Sequence, residues 1–180
     1  MQEFEQERGG CFHSDTRSWG WVKIVHFINP TRGAMDFDTM FADIVAYIEE
    51  MPEEKYKLII GTDSQLADEV CFVTAVIVHR LGKGGRYYYC RERERINRSL
   101  RQRIFYETAR SLQLASQLAD RLAENGHADL NVEIHCDVGE NGRTKDLIRE
   151  VVGMVVGSGF DARIKPDSYG ASTVADKYTK

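Results

Sequence analysis

Apolar positions along the chain recur with two periods, and the alternation between them sets out the elements. Residues 19–28, WGWVKIVHFI, have the aromatic and β-branched content of a strand, closed by the turn signal Asn29-Pro30-Thr31-Arg32-Gly33. From Asp36 or Asp38 as a cap, Phe37, Met40, Phe41, Ile44, Val45 and Ile48 recur at helical spacing until Met51-Pro52 stops the run. LIIGTD at 58–63, CFVTAVIVHR at 71–80 and RYYYCRER at 86–93 then read as three successive strands, the last two joined by the turn LGKGG. Short links between them predict antiparallel neighbours. A helix is predicted over roughly 99–124, followed by a strand (NVEIHCD, 131–137), a helix (TKDLIREVVGMVV, 144–156), a strand (FDARIKP, 160–166) and the beginning of a last helix (ASTVADKYTK, 171–180). The main order is therefore β-β-β-α-β-α-β-α, an α/β pattern, after an N-terminal strand or hairpin and helix extension over 19–52. Residues 1 to about 18 are polar, contain Gly9-Gly10 and show little periodicity, which predicts a poorly ordered tail ahead of one domain over 19–180.

Two of these strands reach an aspartate, Asp63 in LIIGTDSQ and Asp137 in VEIHCDVGENG, and the apolar run stops there in both. A single aspartate closing a strand is ordinarily a turn residue, because its short side chain bonds the nearby backbone. Two of them, with other acids suitably placed, could hold a metal ion.

Composition narrows the classes. The 180 residues, 42% hydrophobic, suffice for one domain with a sizeable core. A net charge of −4 means that a nucleic-acid partner would have to be held by a local basic patch. Cys11, Cys71, Cys90 and Cys136 show no paired spacing, which argues against a disulfide framework or a structural zinc and for reduced thiols. No stretch approaches the apolar length of a membrane span, and the start MQEFEQERGG has neither a basic lead nor an apolar core, so the expectation is a cytoplasmic protein without a membrane partner.

The order of elements, with the acids where they fall, resembles the ribonuclease H-like superfamily. The phrases GTDSQ, DVGENGRT, IKP and SxVADK look like a bacterial family of YkuK-like proteins placed within it, over about residue 27 to the end. The resemblance implies a five-stranded mixed sheet ordered 3-2-1-4-5, its second strand antiparallel, with helices on both faces. Nuclease members place acids on the first strand, the first helix, the end of the fourth strand and the last helix; the matching positions here are Asp63, Glu107, Asp137 and Asp176. Helical arithmetic bears on Glu107. With Ile104 at zero, the apolar stripe of the long helix spans roughly −40° to +80° and Glu107 falls near −60°, whereas Asp120 and Glu124 fall on the solvent side.

The chemistry implied is metal-assisted phosphodiester hydrolysis on DNA or RNA. Mg²⁺ and Mn²⁺ prefer oxygen ligands, and two such ions about 4 Å apart can orient water and stabilise a leaving oxygen. The alternative is a catalytically silent ribonuclease H-like module that binds nucleic acid or a protein partner. Proofreading relatives often carry a Tyr or His just before the last acid; here Tyr169 stands seven residues ahead of Asp176, a departure from that pattern. The actin-like phosphotransferases that share this core would need a duplicated domain.

RERERINRSLRQR, residues 91–103, holds six arginines, and Arg91, Arg93 and Arg95 alternate as on one face of a strand. With Arg98 they are candidate phosphate contacts, and with Glu92 and Glu94 between them they read equally as a salt-bridged edge strand. The loop Val138–Thr144 offers Asn141 and Arg143 near a helix start, or a plain turn capped by Thr144. Lys165 and Ser172 flank the expected site. His135 shares a strand face with Asp137, but a lone strand histidine is more often structural, and it is left off the catalytic set. Tyr87, Tyr88 and Tyr89 read as sheet packing.

Overall fold

A computed structural model describes residues 25–66, 69–95 and 99–179. The tail expected over 1–18, the first part of the N-terminal strand, Cys11, Arg98 and the side chain of Ser172 lie outside the described residues.

In chain order the elements are β1 (Phe27–Asn29), β2 (Gly33–Met35), α1 (Phe37–Glu49), β3 (Tyr56–Leu66), β4 (Val70–Arg80), β5 (Gly84–Glu94), α2 (Leu100–Glu124), β6 (Asn131–Gly139), a 3₁₀ turn (Lys145–Leu147), α3 (Ile148–Gly157), β7 (Asp161–Lys165) and α4 (Tyr169–Thr179). They build one sheet ordered β2-β1-β5-β4-β3-β6-β7. Its β5-β4-β3-β6-β7 portion is the expected order, with β3–β4 and β4–β5 antiparallel and β3–β6 and β6–β7 parallel. The sheet has seven strands rather than five because the N-terminal hairpin adds itself to the β5 edge. Asn29 organises that hairpin: its Oδ1 accepts from the backbone N–H of Thr31 and Arg32, its Nδ2 donates to the carbonyl of Tyr87 at 3.0 Å, and Gly33 takes the positive φ of +82° that the turn requires. Ile28 pairs with Tyr89 across the junction.

The two faces of the sheet are covered unequally. On one face, α1, α2 and α3 close a large core in which Met40, Phe41, Ile44, Leu58, Ile60, Val76, Tyr88, Leu118, Leu122, Ile134 and Val151 are buried together. Asp36 caps α1, accepting from the Thr39 N–H at 2.8 Å, and Asp43 anchors the helix to β5 through Tyr88 Oη at 2.6 Å and Arg86 at 2.8 Å. The other face carries α4 alone, which packs on β3, β4 and β6 over two small clusters around Ile59, Ala75 and Ala171 and around Val73, Tyr89 and Ala175.

The expectation that β3 and β6 stop at their aspartates is corrected: β3 runs on to Leu66 and β6 to Gly139. The apolar run ends where burial ends, but the hydrogen-bonded ladder does not, because β3 stays paired with β4 up to Leu66↔Val70. Thr144 is the N-cap residue of a 3₁₀ turn rather than of a longer helix and makes no side-chain capping bond; its Oγ1 instead accepts from the Gly139 N–H at 3.1 Å and closes the loop. The last helix begins at Tyr169, two residues before the apolar pattern suggests. No described helix is long and apolar enough to cross a membrane.

Candidate active site

The site forms where two parallel strands part. β3 and β6 pair from Lys57↔Asn131 to Ile60↔Ile134, and no pairing between them continues beyond. Asp63 and Asp137 each stand three residues past that last pair, so continuing the register sets them side by side at the mouth of the split. Alternation assigns their face. Leu58 and Ile60 enter the large core and the Thr62 hydroxyl bonds Ser111 of α2 at 2.9 Å, which puts Ile59, Gly61 and Asp63 on the α4 side. Likewise Ile134, Cys136 and Val138 enter the large core, leaving Glu133, His135 and Asp137 toward α4.

Glu107 comes from the opposite face, on α2, and is only 7% exposed. The buried sector of α2 reaches farther on that side than the stripe of roughly −40° to +80°, since Leu114, at about −80°, is also buried. The Glu107 carboxylate accepts from Ser64 Oγ at 2.5 Å, and Ser64 Oγ in turn accepts from Arg103 Nη1 at 2.9 Å. Glu107 and Asp137 line one water-sized cavity of about 10 Å³, together with Thr62, Ser111 and Cys136, so the split connects the two faces.

Asp176 reaches the site from α4, and Gly61 allows that approach. A Cβ on Gly61 would lie 2.5 Å from the Cβ of Ala171 and 2.8 Å from the carbonyl oxygen of His135, so only glycine lets α4 sit down on β3 at this point. Asp176 is exposed, one residue along from the buried Ala175.

The acids sense one another. Burial raises the pKa of the Asp63 carboxyl, and the charges of Asp137 and Asp176 raise it further, against the Ser64 N–H and Lys165, which lower it. Burial is also the main cause that pushes Glu107 up to about 8; the Ser64 hydrogen bond and Arg103 oppose the rise, and Asp63 and Asp137 add to it. The four acids suggested by the sequence, from β3, α2, β6 and α4, thus stand within electrostatic reach of Asp63 or Glu107 in the structure. They are not drawn into a ready-made cation cage: among the described residues no three His, Cys, Asp or Glu side chains form one. The Lys165 ammonium sits 2.7 Å from Asp137 Oδ1, and Ser64 holds Glu107.

The flanking candidates divide. Lys165 is in the site, paired with Asp137. Asn141 and Arg143 are exposed on the loop after β6. Arg91, Arg93 and Arg95 are exposed along β5 and its end, and Glu69 binds Arg95 Nε at 2.7 Å. Glu92 does not neutralise the neighbouring arginines. It points to the other face, where it pairs with Arg110 of α2. His135 is buried beneath the start of α4, 3.4 Å from Glu133 Oε2, and burial lowers its pKa. Glu133 also takes Lys57 at 3.1 Å and Arg163 at 3.2 Å, so His135 belongs to a charged network beside the acid cluster. Ser64 and Arg103 were not singled out from the sequence. Ser64 lies inside the GTDSQ phrase, and Arg103 is one helical turn before Glu107, the only signal either offered.

A family profile described as Ribonuclease H-like matches residues 39–180. A Bacillus subtilis (strain 168) protein described as "Uncharacterized protein YkuK" is 38% identical over 168 residues, covering 86% of this chain and 96% of its own length. No solved structure matches. With the β5-β4-β3-β6-β7 order in place and a profile that spans α1 to α4, the chain belongs to the ribonuclease H-like family.

Proposed function

We propose that this protein is a divalent-metal-dependent phosphodiesterase acting on nucleic acid, with Asp63, Glu107, Asp137 and Asp176 as the acids that hold the cation. The observation that carries this reading is the convergence of carboxylates from β3, α2, β6 and α4 on the split between β3 and β6, where Asp63 and Glu107 both have raised pKa values. Both shifts come chiefly from burial, with the neighbouring carboxylates adding to them, and a bound cation would stabilise the charged forms that burial disfavours. The donors suit the ion: all are hard carboxylate oxygens, which favour Mg²⁺ or Mn²⁺ over softer metals.

When bound, the cation supplies activation of water and neutralisation of charge on the phosphate. The residues provide the rest. Asp63 and Asp137, at matching positions on adjoining strands, are fixed by the sheet. Glu107 is held by Ser64 and Arg103 until it is needed as a ligand, and Asp176 closes the cluster from the side of α4. Lys165, on Asp137, offers a cation that can move onto a substrate phosphate.

A second reading has an observation of its own. Because an ammonium already satisfies Asp137, the cluster could be neutralised internally, leaving a catalytically silent module that binds nucleic acid or a protein. The two readings separate in one assay. Purified protein is incubated with single-stranded, duplex and hybrid substrates in Mn²⁺, with Asp63→Asn and Asp137→Asn alongside. Cleavage by wild type, lost in both variants, is the expected result; cleavage retained in Asp63→Asn marks a contaminant, and binding without cleavage leaves the silent module.

A further inference from the structure

We infer that the open shelf between Asp63 and Arg93 on the α4 face is the track for one strand of nucleic acid, with Arg91 and Arg93 holding its phosphates. The inference rests on the nucleic-acid reading of the site and goes beyond it by giving the substrate's strandedness and path.

The register of the sheet defines the shelf. Asp63 pairs with Val73, which pairs with Arg91; one step outward, Gln65 pairs with Cys71, which pairs with Arg93. Directly opposed residues share a sheet face, so Arg91 and Arg93 lie on the face that carries Asp63. Two strand spacings put Arg91 about 10 Å from Asp63 between Cα atoms. Along the row just inside, Gly61–Ala75–Tyr89, α4 crosses the sheet with Ala171 against Gly61 and Tyr178 against Tyr89. Outside α4, among the described residues, Gln65 and Arg93 of the Gln65–Cys71–Arg93 row are exposed and Cys71 is half-buried.

The alternating run after Cys90 sorts its charges between the two faces. Glu92 pairs with Arg110 on the large-core side, and Glu94 acts on Tyr106 of α2 there. Among the described residues neither Arg91 nor Arg93 has a carboxylate partner, unlike Arg95 with Glu69. Arg91 is also held in place: its guanidinium lies 5.9 Å from the Tyr89 ring centroid and 5.7 Å from that of Tyr178, two rings stacked 3.7 Å apart. Lys177 Nζ lies 5.3 Å from the centroid of the Tyr178 ring. A pre-positioned, unpaired guanidinium suits a phosphate oxygen.

The width of the shelf selects the ligand. Two rows two residues apart along a strand span about 7 Å, room for one sugar–phosphate backbone. The second backbone of a duplex, across a major groove of about 12 Å, would lie off the shelf. From β6 to β5 the track crosses three strand spacings, roughly 14 Å, so a strand gripped at Arg91 and Arg93 passes over Asp63 and Asp137.

Fluorescence anisotropy on the full-length protein in EDTA tests this without any cleavage. The probes are labelled single strands of deoxythymidylate and of uridylate, a duplex of mixed sequence and its separated single strand, and a polyglutamate peptide. We expect both homopolymer single strands to bind and the duplex to bind more weakly than its own single strand. Arg93→Glu, whose side chain supports no contact in the fold, should weaken single-strand binding by roughly tenfold at 0.1 M salt and lower the salt slope by about 0.7; Arg91→Glu/Arg93→Glu should lower it by about 1.4. Lys83→Glu/Arg149→Glu, the same charge change off the shelf, should bind as wild type. Wild-type affinity in Arg93→Glu overturns the inference, as does a preference for duplex. Arg93-dependent binding of polyglutamate with no nucleic acid bound overturns it in favour of an acidic protein partner. Asp63-dependent cleavage with unchanged binding in Arg93→Glu would remove the shelf and keep the enzyme; loss of binding in Arg93→Glu in a protein that never cleaves would keep the shelf and remove the enzyme.

Discussion

The two faces of the sheet are built for different ends. Beneath α1, α2 and α3 lies a continuous apolar core whose polar groups are mostly satisfied in short chains, such as Thr74–Thr62–Ser111. Beneath α4 there are two small apolar clusters, a buried charged network around Glu133, and Asp63 and Asp137, while Glu107 approaches the same split from α2 on the first face. The first face buries most of the apolar side chains, while the second packs a smaller area and carries Asp63, Asp137 and the Glu133 network. Regions that carry function draw on the stability of regions that do not, and this division makes the faces separable by mutation.

The largest expected effect comes from the charge of Glu107, which α2 brings to the β3–β6 split from the first face. Glu107 has a pKa near 4.5 in the unfolded chain and about 8 in the folded one. Between those values the folded chain keeps a proton that the unfolded chain has released, so this group's contribution to stability is complete below pH 4.5 and is lost as pH rises through 8. Asp63, also raised, acts with the same sign. His135, whose pKa is lowered mainly by burial, acts with the opposite sign, its contribution falling away as pH drops below its unfolded value of 6.5. The informative quantity is therefore the difference between wild type and Glu107→Gln. Urea midpoints across pH 5–9 should fall for wild type relative to the variant, with a slope approaching about 1.4 kcal/mol per pH unit at most, and millimolar Mg²⁺ or Mn²⁺ should remove the difference. Parallel curves would put Glu107 outside the electrostatic cluster.

On the structural face, Leu118→Ala removes a side chain with no exposure from the centre of the core and should cost about 3 kcal/mol by denaturant unfolding, while leaving the affinity for Mn²⁺ unchanged. Gly61→Ala inverts that pattern. Its Cβ would press on Ala171, so α4 must lift, with an expected cost of about 1–3 kcal/mol together with weaker Mn²⁺ binding as Asp176 is drawn away. If Gly61→Ala lost stability but bound the ion as well as wild type, Asp176 would not be a ligand. Tyr178→Ala is the mildest change, taking the stacked partner from Tyr89 and loosening the end of α4 by about 1 kcal/mol.

How far the fold and the proposed site could be read from the residues differs from element to element. Short links after β3 and β4 left antiparallel pairing as the simple solution, and the parallel placement of β6 beside β3 followed from the family resemblance rather than from any local signal. Glu107 was reached through the same resemblance, and helical arithmetic placed it at the margin of the apolar stripe rather than out in solvent. Periodicity reports burial and not hydrogen bonding, which is why Asp63 and Asp137 looked like strand ends although both ladders run past them. The Ser64–Arg103 support of Glu107 and the Lys165–Asp137 pair join residues 39 and 28 positions apart, contacts that only the folded sheet defines. The same holds for the RERER run: alternation showed that its charges take two faces, but which face carries the acids' cleft became legible only from the register Asp63–Val73–Arg91. The hairpin's addition to β5 depends on Asn29 reaching Tyr87, again a long-range bond without a local sign.

Whether the carboxylates at the β3–β6 split form a cation site can be read from anomalous diffraction of crystals soaked in Mn²⁺. An anomalous peak is expected beside Asp63 and Asp137, with the Glu107 carboxylate released from Ser64 and Lys165 displaced from Asp137. Saturating Mn²⁺ with no peak at the split, and Lys165 still seated on Asp137, would contradict it.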